Sequence, residues 1–226
     1  MLVRVSISLA AVLLPGGAAF GQLGALIYSQ NPSRLFGFTS DTAFTTDFGT
    51  VEGAIYADRF SLASNQSIGQ ISWFGLYGPQ FGPIQEPPAC EAFRIRFYDQ
   101  QGAFPSSPPT NILYEETFGT PPRTLTGFFV SGGFPEYRFD INFSNRFEAL
   151  AGKMYWLEIS QLGDPSSYFR WESSSGGERA FQFPVGSAWQ LSGGGQLAYE
   201  LRVPEPGSGV LVGLVALMLR RRGKYG

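Results

Sequence analysis

Three tryptophans and two glutamates in the second half of the chain have side chains that could bind a sugar together. They are Trp156, Trp171, Trp189, Glu158 and Glu172. A partly exposed tryptophan offers a flat apolar face to a sugar ring, and a neighbouring carboxylate accepts hydrogen bonds from the ring hydroxyls. These five residues are therefore the candidates for a carbohydrate-binding set. The simpler interpretation, in which the aromatic rings only fill a core, stays open beside it.

The composition excludes several kinds of catalysis. The chain has no histidine and one cysteine, Cys90, which rules out Ser-His-Asp and Cys-His catalysis and histidine-bound zinc or iron. Glycoside hydrolysis needs two carboxylates flanking one bond, but Glu115 and Glu116 are strand neighbours that face opposite sides. A glycosidase using Glu158 and Glu172 is the lowest-ranked alternative. We predict that the protein is not an enzyme and has no catalytic residue.

Three aspartates near the start of the chain could supply ligands to calcium. Asp41, Asp47 and Asp58 lie among threonines and glycines and could supply carboxylate oxygens. The stretch lacks the closely alternating acids of an EF-hand loop, so turn and capping roles are the better interpretation. We predict no metal site and no cofactor.

Short β-strands are the elements that must position these residues. In the clearest one, residues 93–98, Phe93, Ile95 and Phe97 point to one face, and polar side chains alternate with them. No stretch is amphipathic over a length that would support a helix. The other strand candidates are residues 25–28, 57–62, 71–77, 112–117, 124–130, 137–143, 155–159, 168–172, 180–183, 188–191 and 197–203.

About a dozen short strands separated by turn-forming residues predict an all-β fold. The alternation favours antiparallel sheets, because strands of parallel sheets are covered on both faces. We expect an antiparallel two-sheet sandwich, jelly-roll-like, over residues 22–202. In the strand at 155–159, Trp156 and Glu158 lie opposite Tyr155, Leu157 and Ile159, so they should point away from the main core or toward a cover.

Charge is distributed unevenly along the chain. Of the 16 basic residues, Arg4, Arg220, Arg221, Arg222 and Lys224 lie in the two end segments, which hold none of the 18 acidic residues. The part between them therefore has 11 basic residues and a net charge of −7. An acidic domain repels phosphate backbones, so we expect no nucleic-acid partner.

The first 21 residues have the composition of a secretory signal peptide. Arg4 supplies the positive start, residues 5–14 form an apolar run, and Ala19-Phe20-Gly21 offers small residues at the usual cleavage spacing. The apolar run is too short to span a bilayer as an anchor. Cleavage by the secretion machinery would leave Gln22 as the new amino terminus.

The last 24 residues, 203–226, contain three elements in a fixed order. Pro204-Glu205-Pro206 ends the preceding strand, because proline cannot continue it, and holds the carboxylate on an extended segment. An apolar run follows at residues 207–219. Arg220-Arg221-Arg222 comes next and should stay on the cytoplasmic side of the inner membrane.

This tail resembles the PEP-CTERM sorting signal, in which a Pro-Glu-Pro motif precedes a hydrophobic helix and an arginine-rich end. The resemblance implies processing by exosortase, a membrane-embedded protease or transpeptidase of Gram-negative bacteria that make exopolysaccharide. Pro204, Glu205 and Pro206 would then be the sorting motif, and Arg220, Arg221 and Arg222 the stop signal. The apolar run departs from the family in being short: 13 residues span about 20 Å as a helix, against about 30 Å of hydrocarbon.

Together these segments predict an exported structural or adhesive protein. We expect a precursor that inserts transiently into the inner membrane and is then released to the cell surface or extracellular matrix. Binding of exopolysaccharide by a carbohydrate-binding module is the alternative.

Overall fold

The computed structural model describes residues 23–40, 42–46, 49–78, 84, 86–100, 107–162 and 168–204. The predicted signal peptide, Glu205, Pro206, the apolar run and the stop signal all lie outside these residues. No helix in the described part of the chain is long and apolar enough to cross a membrane.

The described residues form fifteen β-strands and no helix, which confirms the predicted all-β class. Their bounds are β1 Ala25–Gln30, β2 Pro32–Thr39, β3 Ala43–Thr46, β4 Gly49–Glu52, β5 Ile55–Ser61, β6 Gln66–Tyr77, β7 Ala92–Gln100, β8 Pro109–Gly119, β9 Arg123–Val130, β10 Phe134–Ala149, β11 Met154–Leu162, β12 Phe169–Ser174, β13 Glu178–Gln182, β14 Gln190–Gly193 and β15 Tyr199–Val203.

Two antiparallel sheets form the body of the sandwich. Sheet A has the order β1-β15-β6-β10-β9, with β12 joining β6 and β2 joining β12. Sheet B has the order β14-β13-β5-β11-β7-β8. The hairpin of β3 and β4 stands apart as a small third sheet. Every pairing between these strands is antiparallel, as the alternating sequence pattern predicted.

Aromatic rings from the two inner faces fill the space between the sheets. Phe93 of sheet B meets Phe169 of sheet A edge to face, with ring centroids 4.8 Å apart. Phe97 and Phe147 stack across the same gap at 4.3 Å. Such pairs add to the stability that burial of their large apolar surface provides. Packing between the sheets accounts for nine phenylalanines: Phe38, Phe60, Phe93, Phe97, Phe118, Phe139, Phe143, Phe147 and Phe169.

The first and last strands of the described domain lie side by side in sheet A. Ala25 of β1 pairs with Val203 of β15, and Gln30 pairs with Tyr199. β15 also pairs with β6 on its other side, so the chain enters at the edge of the sheet and leaves beside a central strand.

Candidate functional site

The five residues of the predicted carbohydrate-binding set fall in three separate places. Trp156 and Glu158 of β11 lie on the outer face of sheet B, and Trp189, which precedes β14, packs there with them. Trp171 of β12 points into the core between the sheets. Glu172 follows it in the strand and therefore faces the outer side of sheet A.

Trp156 faces away from the main core, as its strand pattern predicted, but the expectation that it is partly exposed is wrong. Its exposed fraction is 0% because it lies in a second, small apolar cluster. Its indole Nε1 also donates a hydrogen bond to the carbonyl of Ser107 at 3.2 Å. Trp189 covers part of this cluster and stays half-buried, with its ring edge against Tyr98 at 5.7 Å between centroids.

Glu158 is also fully buried, and both of its oxygens already have partners. Arg94 donates to Oε1 from Nε at 3.2 Å and from Nη2 at 2.8 Å. Ser160 also donates to Oε1, at 2.8 Å, and the Tyr98 hydroxyl donates to Oε2. A carboxylate held in this way stabilises the strands it joins and is not available to accept hydrogen bonds from a ligand.

Trp171 has no exposed face either. Its exposed fraction is 0%, and its Nε1 donates to the carbonyl of Ala198 at 2.9 Å. Since Glu158 and Glu172 point outward from different sheets, they cannot flank one glycosidic bond at the separations that hydrolysis requires.

Glu172 takes part in a different arrangement, a buried pair of carboxyl groups on the outer face of sheet A. Its partner Glu136, from β10, is also fully buried, and the two carboxyl groups interact directly. Arg34 binds both: its backbone N–H donates to Glu172 Oε1 at 2.8 Å, and its Nε lies 3.3 Å from Glu136 Oε2. Burial, together with the neighbouring Glu136 carboxyl, raises the pKa of Glu172 to about 8. The two carboxyl groups can therefore share one proton at neutral pH.

Arg34 belongs to a bulge in β2 that we call the β2 bulge, residues 33–36. On the neighbouring strand β12, Glu172 pairs with Gly37 and Ser174 pairs with Pro32. One residue of β12 therefore lies opposite the four residues of the β2 bulge. Arg34 has a positive φ of 59°, which costs energy in any residue other than glycine. Its guanidinium stacks on Phe128 at 3.7 Å from the ring centroid.

The β2 bulge forms one wall of a surface groove of about 340 Å³, which we call the bulge groove. Two glycine-containing turns, one after β12 and one after β14, form the other walls. The lining residues are Ser33, Leu35, Phe36, Ser174, Ser175, Gly176, Gly177, Gly194 and Gly195. None of these side chains is charged. The groove can therefore bind a ligand through hydroxyls, backbone groups and apolar contacts, but its lining holds no acid, base or nucleophile pair for catalysis.

The sequence reasoning missed this groove because it assigned no strand to residues 32–39. The available signal was the pair of glycine-rich stretches, residues 174–177 and 193–195, which indicated turns. Their approach to β2 depends on the pairing of β2 with β12, more than 130 residues away in the chain.

Asp58, considered above as a calcium ligand, lies in the core of the sandwich. It accepts hydrogen bonds from the backbone N–H groups of Leu197 at 2.6 Å and Arg59 at 2.7 Å. Burial raises its pKa to about 8, although both hydrogen bonds act in the opposite direction. Asp41 and Asp47 lie outside the described residues. The described residues contain no group of three or more acidic or cysteine side chains placed to bind a metal ion.

The comparisons with known proteins identify one family. No curated protein matches the chain in sequence. The sequence pattern of the family DUF7901, described as a domain of unknown function, matches residues 26–207 and so covers nearly all of the sandwich. The chain belongs to the DUF7901 family.

Proposed function

We propose that the protein is an exported, non-enzymatic structural or adhesive component of the bacterial cell surface or extracellular matrix. The observation that carries the proposal is the pairing of Ala25 with Val203. The folded domain thus begins three residues after the proposed cleavage site at Gly21 and Gln22 and ends one residue before the Pro-Glu-Pro motif. A domain fastened at a single end is suited to presentation on a surface.

The segments outside the described residues complete the proposal. Residues 1–21 act as a signal peptide, the apolar run forms a short sorting helix, and an exosortase-type enzyme processes the chain near Glu205. We include the jelly-roll-like topology of the sandwich in the same proposal, since two antiparallel sheets are its general architecture.

Fractionation of the full chain in an exosortase-bearing host tests the proposal. An antibody against the folded domain should detect the protein on the cell surface or in the matrix. A matched variant lacking residues 1–21 should stay in the cytosol. Recovery of the complete chain from the cytosol would contradict the proposal.

Carbohydrate binding by the five residues predicted from the sequence is not favoured. Trp156 and Trp171 are fully buried, and Glu158 has no free oxygen for a ligand hydroxyl. Of the three tryptophans, Trp189 alone keeps some exposed surface. A glycosidase using Glu158 and Glu172 is excluded by their positions on different sheets.

A further inference from the structure

We propose that the bulge groove binds an uncharged carbohydrate. The inference goes beyond the proposed surface role and does not depend on how the protein is exported. It places the binding site on a different sheet from Trp156 and Glu158. Of the five residues that the sequence indicated, only Glu172 takes part, as a support beneath the β2 bulge and not as a ligand contact.

The chemistry of the lining selects the class of ligand. The lining offers serine hydroxyls, such as that of the exposed Ser175, and the backbone groups of the exposed glycines Gly176 and Gly194. Hydroxyls and backbone groups both donate and accept, which is what the hydroxyls of a sugar require. The lining contains no charged side chain, and the Arg179 guanidinium, which donates to the Gly195 carbonyl, is buried against the Phe38 ring. The lining therefore offers no exposed charge to balance that of a phosphate, a uronic acid or a metal ion.

Leu35 and Phe36 supply the apolar part of the site. Leu35 lies in the β2 bulge with 62% of its surface exposed. The C–H face of a sugar ring lying on these side chains would remove that apolar surface from water. The groove volume of about 340 Å³ is at the lower end of the range for ligand pockets, so it suits a unit of one or two sugar rings.

The buried groups that support the β2 bulge indicate that its shape is important for function. Two carboxyl groups, Glu136 and Glu172, are buried to hold one backbone N–H and one guanidinium of Arg34. Burying such a pair is rarely favourable compared with apolar residues. Arg34 adds the cost of its positive φ. Bulges and strained residues of this kind are concentrated at functional sites, where they fix a side chain in a required position.

The turn on the opposite wall is equally constrained. Gly177 has a φ of +78° and lies directly against the Gln196 side chain, so a Cβ there would strain the backbone and displace that side chain. Arg179 donates from Nη1 to the carbonyl of Gly195 at 3.0 Å and thereby ties the two turns together. The groove is therefore formed before any ligand binds, which lowers the entropy cost of binding.

Saturation-transfer NMR of the full chain with maltose, cellobiose and lactose tests the proposal, with glucuronic acid as the charged comparison. We expect at least one neutral disaccharide to bind, with a dissociation constant on the order of millimolar because the groove is open. Leu35→Ala should weaken binding about fivefold or more, the effect expected for a residue at the centre of a site. Leu125→Ala is the matched control, since Leu125 is 59% exposed and lies outside the groove.

Ser175→Trp provides a second variant, because it fills the groove from an exposed turn position without altering the bulge. It should abolish binding, whereas Ser64→Trp, at an exposed serine elsewhere, should not. Circular dichroism establishes that each variant is folded. The proposal is overturned if no neutral disaccharide binds, if glucuronic acid binds more tightly, or if both groove variants bind as their controls do.

Discussion

Two buried carboxyl groups, Asp58 and Glu172, dominate the electrostatics of the domain at the scale of single residues. In both cases burial is the largest cause of a pKa raised to about 8. Asp58 links the sheets through the Leu197 N–H, and Glu172 supports the β2 bulge. The structural roles differ, but both groups hold a proton in the folded chain at pH values where the unfolded chain has released it.

This difference makes the stability of the protein fall as pH rises. The unfolded values are 3.8 for Asp58 and 4.5 for Glu172, so between about pH 5 and 8 the folded state binds more protons than the unfolded state. The free energy of unfolding should then fall by about 1.4 kcal/mol per pH unit for each group and level off above about pH 8. The chain has no histidine, so no histidine titration obscures this range. Urea denaturation at several pH values measures the slope.

The variant Glu172→Gln measures how much of the pH dependence of stability comes from the pair of Glu136 and Glu172. A glutamine resembles the protonated glutamate: its amide nitrogen can donate to Glu136 while its oxygen accepts from the Arg34 N–H. We expect about half of the pH dependence to disappear and the variant to be more stable than the unmodified chain at pH 8. Glu115→Gln, at a carboxylate that is 44% exposed, is the control and should keep the full slope. An unchanged slope in Glu172→Gln would show that the pair does not share a proton as described.

At the scale of strands, the sequence pattern predicted the regular elements well and the irregular ones poorly. Every strand candidate overlaps a strand of the structure, because half-buried strands must alternate apolar and polar side chains. The strand β2 was missed because its bulge interrupts that alternation, and β3 and β4 have only four residues each. Local pattern cannot show which distant segment a strand will pair with.

The dependence on contacts between distant segments also explains why the exposure of Trp156 was predicted wrongly. Its own strand gives its direction correctly, opposite Tyr155 and Leu157. Its burial depends on Tyr98 from β7, Ala180 from β13 and the segment carrying Trp189. These contacts join parts of the chain that are far apart in sequence, so the exposure of one side chain could not be predicted from its neighbours alone.

The junction of β6 with β12 is the element on which the position of the groove depends. Gly75 of β6 pairs with Trp171, and an added Cβ there would overlap the Phe169 ring and come within 2.9 Å of the Arg170 carbonyl oxygen. Gly75→Ala should therefore push the strands apart and cost about 1 to 3 kcal/mol of stability. Gly119→Ala, at the end of β8, meets no atom within 4 Å and is the control. Equal midpoints in urea for the two variants would contradict this account of the junction.

At the scale of the whole molecule, the two chain ends of the domain meet at one place. β15 is held by β1 on one side and β6 on the other, so a pull on the carboxyl end acts on a strand bonded along both edges. Pro204 continues this contact at Gly69. Cleavage after this residue would leave every described strand intact, and the processed domain would keep its fold.

The tail beyond Pro204 should hold the chain in the membrane while it is processed. If residues 207–219 hold the chain in the membrane, each arginine of the stop signal resists entry into hydrocarbon by about 2.5 to 3.5 kcal/mol. The Pro-Glu-Pro segment is then stationary and extended when it meets the protease, and the mature protein should run from about Gln22 to near Pro206. Glu205→Ala should leave export unchanged and block trimming.

Replacing Arg220, Arg221 and Arg222 by neutral residues separates anchoring from recognition. Without the cations the apolar run has no barrier to passage, and its 13 residues are too short for a stable span on their own. This variant should cross the membrane unanchored and escape processing with its motif intact, whereas Glu205→Ala should remain in the membrane uncut. Intact-mass measurement of each fraction distinguishes the two outcomes. Both changes lie beyond the end of β15 at Val203. Neither variant should therefore change the thermal stability of the domain. A mature species that still carries residues 220–226 in the unmodified protein would refute the assignment of this tail as a sorting signal.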